Sequence, residues 1–263
     1  MTLIMIGNKI ENRLNQVTMN IINILKQQDY INGIALVGSI NISDNFNDYD
    51  LLILHEHDDI FGKLKNIFSE YNTSIIDDSI RITFEDSNKD INLALYTNKE
   101  FSNKVYSLFK KNNPIGEHRE WAIGYWLPEM LIQDLLNCTV IYDKLNNFHN
   151  LIRYIKGKEV DFRNLFIEKC KCEINTKIKY LNSHISDLEI KIIRNDLLLA
   201  FIRLSSLLDC LHFTGFKKLD SKLNRYFYQI LSDFSEMENS RDISIAANKL
   251  LNHLLLGEAY EFK

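Results

Sequence analysis

The stretch LVGSINISDNFNDYDLLIL, Leu36–Leu54, decides how this chain is read. An apolar run, GIALVG, ends in Gly38, a polar gap follows, and a second apolar run, YDLLIL, begins at Tyr49. Short apolar runs bounded by Gly, Asn, Ser and Asp are the pattern of two strands joined by a turn. Side chains alternate along a strand, so Asp48 and Asp50 project from one face and Tyr49 from the other. Two carboxylates placed in this way repel unless a cation sits between them.

A carboxylate pair suits Mg²⁺, which prefers hard oxygen ligands and is commonly held through one or two carboxylates plus substrate phosphates. Upstream, Gly38 permits close backbone approach, and Ser39 offers a hydroxyl and a backbone N–H, the parts of an anion-binding turn. A turn able to hold a triphosphate, facing a pair able to hold Mg²⁺, points to phosphoryl or nucleotidyl transfer.

Outward from this stretch, the first half of the chain reads as mixed helix and strand. Ile10, Leu14, Val17, Ile21 and Leu25 have the spacing of one helical face, which predicts a helix over residues 8–28. A short helix is expected over 61–68. SIRITFE and DINLALY, separated by Asp86, Ser87, Asn88 and Lys89, read as a hairpin. Helices are then expected over 99–111 and 117–136, and TVIYD as a last strand. From about Leu151 onward no strand pattern appears, and helical periodicity runs over 165–184, 189–213, 218–234 and 241–256. The expectation is an α+β chain: a mixed-sheet domain over 1–150 followed by an all-helical bundle domain over 151–263.

Bulk properties narrow the classes. The 263 residues suffice for one large or two modest domains. With 46% hydrophobic and 25% charged residues, and only 9 Gly and 2 Pro, the composition argues against long disordered segments. A net charge of −4 disfavours an extended nucleic-acid track, although not a local basic cleft. The cysteines Cys138, Cys170, Cys172 and Cys210 show no framework spacing, and the N-terminus shows no secretory pattern, so a reducing cytoplasm is expected. The most apolar run, LLLAFIRLSSLL, is interrupted by Arg203 and two serines, so no membrane span is expected.

The ordered set of apolar strand, Gly38-Ser39, short gap, Asp48-Tyr49-Asp50 and apolar strand resembles the signature of the polymerase-beta-type nucleotidyltransferase superfamily. That resemblance implies a Mg²⁺-dependent transfer of a nucleoside monophosphate from ATP or another NTP, with Asp48 and Asp50 as metal ligands and Gly38 and Ser39 at the phosphates. It also implies a third acid on a later strand. DINLALY is where that acid belongs, and Asp90 and Asn92 share one of its faces. Asn92 stands where the family commonly has the acid inside the strand. Asp90 is therefore favoured as the third acid, as metal ligand or as general base.

The segment WAIGYWLPEMLIQDLL followed by TVIYD is similar to the part that joins sheet to helical domain in the small-molecule nucleotidyltransferases that inactivate antibiotics. The resembling parts cover most of residues 30–145. They imply an adenylyltransferase acting on a hydroxyl of a small molecule such as an aminoglycoside or lincosamide, and hence antibiotic resistance, with the helical half choosing the acceptor. Two alternatives stay open: modification of a protein or a tRNA, as in toxin–antitoxin systems, and a non-catalytic nucleotide-binding module. Nucleic acid is the less attractive partner, because phosphate contacts need Lys and Arg. A homodimer stays open.

Other features carry less. His55 and His57, with Asp58 and Asp59, lack a further Cys or His at zinc-like spacing and read as a solvated loop. Cys170 and Cys172 point in different directions on a helix. Trp121, Tyr125 and Trp126 are expected to pack, and Lys169, Lys171, Lys177 and Lys179 to face solvent. Glu129, after Pro128, is expected to complement a helix start.

Overall fold

The computed structural model describes residues 13–41, 46–76, 79–83, 89–109, 128–183, 185–208 and 225–256. It divides into two compact units, with the described residues up to Glu159 in the first and those from Val160 in the second. The architecture is α+β, a mixed sheet followed in sequence by helices.

The first unit opens with helix α1, Gln16–Lys26, where Asn15 accepts the Thr18 N–H at 2.8 Å and so satisfies one of the free donors of the first turn. Strand β1, Ile31–Val37, passes through a short 3₁₀ turn, Gly38–Asn41, and β2 follows over Asp48–His55. Next come α2, Ile60–Ile67, then β3, Asn72–Ile76, β4, Ser79–Thr83, and β5, Asp90–Thr97. Helix α3, Asn98–Ser107, is closed at its start by a reciprocal capping box between Thr97 and Glu100. Helix α4, Pro128–Asn137, strand β6, Thr139–Asp143, and helix α5, Asn147–Lys156, complete the unit.

The sheet order is β3-β4-β5-β2-β1-β6. All neighbours are antiparallel except β2 and β5, which run parallel with Asp48 beside Asp90 and Asp50 beside Asn92. One sheet face presents Ile34, Leu36, Leu51, Ile53, Ile91 and Leu93 to a buried cluster that includes Ile21 and Leu25 of α1 and Leu64 of α2. On the opposite face Gly33 lets α5 approach: a methyl there would lie 2.7 Å from the Phe148 ring. Phe148 in turn meets Phe101 of α3 edge-on at 6.4 Å. Asp48, Asp50, Asp90 and Asn92 occupy the strand ends of that second face. They are only half-buried, whereas Tyr49, Leu51, Ile91 and Leu93 between them are buried.

Two elements exceed the sequence expectation: β3, a sixth strand paired to β4 at the sheet edge, and the short helix α5. The expected helix over 117–136 is described only from Pro128, and Trp121, Tyr125 and Trp126 lie outside the described residues, as does the Glu129 side chain.

The second unit contains α6, Glu159–Leu181, α7, Asp187–Leu208, α8, Arg225–Ser235, and α9, Ser240–Leu256. Phe162, Phe166, Cys170, Ile174 and Ile178 recur every fourth residue and form the buried stripe of α6. Cys170 is buried in that stripe and Cys172 is exposed, so the two thiols do point apart. Lys171 pairs with Glu168 at 2.7 Å and Lys177 with Asp196 at 2.5 Å. Among the described residues no helix is long and apolar enough to cross a membrane.

Candidate functional site

Gly38 ends β1 with φ +76°, a left-handed conformation that side chains with a Cβ adopt at a cost. The same position faces Asp50: a methyl on Gly38 would fall 2.5 Å from Asp50 Oδ2. Glycine is therefore required here twice, once by the backbone and once by the carboxylate lying against it. The contact follows from the antiparallel register, in which Val37 is paired with Asp50.

The turn after Gly38 is tied down from several directions. Asn41 Nδ2 donates to the Leu36 carbonyl at 2.8 Å, and Thr139 Oγ1 donates to Asn41 Oδ1 at 3.0 Å from β6. Arg13 donates through Nη1 to the Ile40 carbonyl at 2.5 Å, and the Tyr49 hydroxyl donates to the Arg13 carbonyl at 3.3 Å. Arg13, Asn41 and Thr139 thus position the turn, and no sequence pattern marked them, because each acts across 5 to 98 residues of chain. Ser39 sits half-buried within this held turn.

Across the parallel pair, Asn92 Nδ2 donates to Asp50 Oδ1 at 2.9 Å and to Asp48 Oδ2 at 3.3 Å. The two carboxylates therefore converge on one point. Asp90, expected as the third acid, is the register neighbour of Asp48 on the same face, while the side chain that reaches both carboxylates is the Asn92 amide. Lys89, next to Asp90, lies over the Phe46 ring at 3.3 Å. Among the described residues, no group of three or more His, Cys, Asp or Glu side chains is arranged to hold a metal ion.

The donor chemistry fits a hard divalent cation carried in with a phosphate ligand. Two carboxylates whose oxygens close on a common point supply two hard ligands, and Mg²⁺ ordinarily fills its remaining positions with phosphate oxygens and water. In the structure as it stands, the amide of Asn92 offers its two N–H groups to the charges that such a cation would neutralise.

His55 differs from expectation. It is the last residue of β2, only 5% exposed, and is not part of a solvated loop. Burial lowers its pKa from the ordinary histidine value, with Glu100 opposing that shift.

No protein-family model matches the chain, and no curated protein matches it. Among solved structures, the chain is similar to a nucleotidyltransferase-like protein from Exiguobacterium sibiricum 255-15, at 15% identity and a TM-score of 0.45 over 92% of this chain and 74% of that one.

Proposed function

We propose that this chain is a nucleotidyltransferase that moves a nucleoside monophosphate, AMP from ATP in the first instance, onto a hydroxyl of a small molecule. The observation that carries the reading is the convergence of Asp48 and Asp50 on one point beside the left-handed Gly38 turn. Asp48 and Asp50 would hold the Mg²⁺ that accompanies the triphosphate. When bound, that ion supplies charge neutralisation on the phosphate oxygens.

The chain's own residues do the rest. Gly38 brings the backbone close to the phosphate chain, and Ser39 offers its N–H and hydroxyl to the outer phosphates. Asp90, at the mouth of β5 beside Asp48, takes the proton of the acceptor hydroxyl. The hydroxyl oxygen attacks the α-phosphorus, the bond to the bridging oxygen breaks, and pyrophosphate leaves. An aminoglycoside or lincosamide hydroxyl fits this chemistry as acceptor. The test is a pyrophosphate-release screen of the four NTPs with Mg²⁺ against a panel of aminoglycosides, lincosamides and simple polyols.

One observation favours a second reading. Because the side chain that reaches both carboxylates is an amide, Asn92, and not a third acid, the site is also suited to a module that binds nucleotide and does no chemistry. Saturable, Mg²⁺-dependent ATP binding by calorimetry, with no pyrophosphate from any acceptor, would select it over transfer.

A further inference from the structure

Asn92 presents one nitrogen to two charges. Its Nδ2 lies 2.9 Å from Asp50 Oδ1 and 3.3 Å from Asp48 Oδ2, so a single NH₂ group directs one hydrogen to each carboxylate. The nitrogen sits at the point on which the two carboxylates converge. Among the described residues no hydrogen bond engages the carbonyl of the same amide, Oδ1.

The register keeps the side chain at this point. Asn92 is the partner of Asp50 along the parallel β2–β5 ladder, and Ile91 and Leu93 on either side of it are buried, so the backbone cannot carry the amide away. The last torsion is the one degree of freedom that changes what the site meets. About the Cβ–Cγ bond an asparagine is roughly two-fold, and half a turn puts the oxygen where the nitrogen was.

The charge at the convergence point decides between these two orientations. With Nδ2 inward, both N–H groups point at the carboxylates and stabilise them. A divalent cation at the same point is incompatible with that orientation, because the hydrogens would point at positive charge. With Oδ1 inward the amide offers a carbonyl, one of the hard oxygens that such ions accept beside carboxylates. An aspartate at this position has no second orientation of opposite character, since both of its atoms are charged oxygens.

We propose that Asn92 is a ligand-exchanging residue of the cation site: its amide bridges Asp48 and Asp50 through Nδ2, and on entry of a divalent ion it turns to give Oδ1 as a neutral third ligand. This rests on the reading of Asp48 and Asp50 as the carboxylates that hold the ion, and it does not depend on whether nucleotidyl transfer follows. The role of third ligand then passes to the amide, and the role of base stays with Asp90, the register partner of Asp48.

The probe is Mg²⁺ alone, titrated into the EDTA-treated full chain and into Asn92→Leu and Asn92→Asp, with affinity read from the backbone ¹H–¹⁵N signals of β2. Leucine has nearly the shape of asparagine but neither donor nor ligand atom. Asn92→Leu should weaken Mg²⁺ binding about tenfold, and Asn92→Asp should strengthen it. If Asn92 only competes with the ion through its N–H groups, Asn92→Leu should instead bind Mg²⁺ as tightly as the unaltered chain or more tightly, which overturns the proposal. The side-chain NH₂ signal of Asn92 gives a readout on the unaltered chain, whatever the folding of the variants. It should move on titration with the affinity seen at β2, and its hydrogens should exchange with water faster once they leave the carboxylates. An unmoved NH₂ signal, or no saturable Mg²⁺ binding, would equally overturn the proposal. A pyrophosphate screen that fails for every acceptor, beside the tenfold loss in Asn92→Leu, would remove nucleotidyl transfer and keep the exchange; turnover beside unchanged Mg²⁺ binding in Asn92→Leu would do the reverse.

Discussion

Asn92 donates from Nδ2 to Oδ1 of Asp50 at 2.9 Å across the parallel β2–β5 pair, and the same nitrogen reaches Asp48 at 3.3 Å. Two half-buried carboxylates on one strand face are thereby bridged by a single amide. The amide offsets part of the repulsion between them, since hydrogen bonds to charged groups contribute about 1.5–3 kcal/mol each.

Asn92→Asp should reverse the sign of that contact. Four acids, Asp90 included, would then share the strand mouths, and without a divalent ion the fold should lose about 2 kcal/mol, roughly 4–8 °C in Tm. Adding Mg²⁺ should restore most of the loss and bind more tightly than to the unaltered chain. Thermal denaturation with EDTA and with Mg²⁺ checks this; an unchanged Tm in EDTA would show that the amide contact carries no weight.

Gly38→Ala should cost at least about 2 kcal/mol, from the left-handed backbone and from a methyl placed 2.5 Å from Asp50 Oδ2. Urea midpoints measure the stability loss. Because the carboxylate has to move to make room, pyrophosphate release should fall together with the midpoint.

His55 gives the fold a pH dependence. Its folded pKa lies below the ordinary value of about 6.5, first because burial disfavours the charged ring. The unfolded chain therefore binds the proton more readily, so stability is full above about pH 6.5 and declines as pH falls toward the folded pKa. In His55→Gln the part of the decline that begins near pH 6.5 should disappear. Denaturant titrations at pH 7.5, 6.5 and 5.5 test this.

The described thiols should differ in reactivity. Burial pushes the Cys138 thiol up to about 12, so almost none of it is thiolate at neutral pH, while Cys172 is exposed. Iodoacetamide followed by peptide mapping should label Cys172 under native conditions and reach Cys138 and Cys170 only on unfolding. Rapid native labelling of Cys138 would contradict that upward shift.

Features set by local periodicity could be read from the chain, and those set by register could not. Asp48 and Asp50 share a face because strand side chains alternate, and the apolar runs around them are long enough to mark β1 and β2. Strand β3 escaped because Asn72–Ile76 is short, half polar and at the sheet edge. Phe148, Leu151 and Ile155 of α5 have helical spacing, yet ten residues are too few to stand out beside the longer patterns that follow. The meeting of Asn92 with both carboxylates depends on how β5 aligns with β2, and nothing within either strand specifies that alignment. His55 and His57 looked solvated for the same reason: they line a cavity whose other wall comes from α3, more than 40 residues later in the chain.

Whether Asp48 and Asp50 act together on a nucleotide's phosphates is read most directly from Mg²⁺-dependent pyrophosphate release by the unaltered chain, Asp48→Asn and Asp50→Asn. The acceptor is the one found in the NTP and hydroxyl screen, and circular dichroism confirms that each variant is folded. The expected result is turnover by the unaltered chain and a fall of at least about a thousandfold, roughly 4 kcal/mol, in each variant. Turnover by either folded variant at the level of the unaltered chain would contradict it.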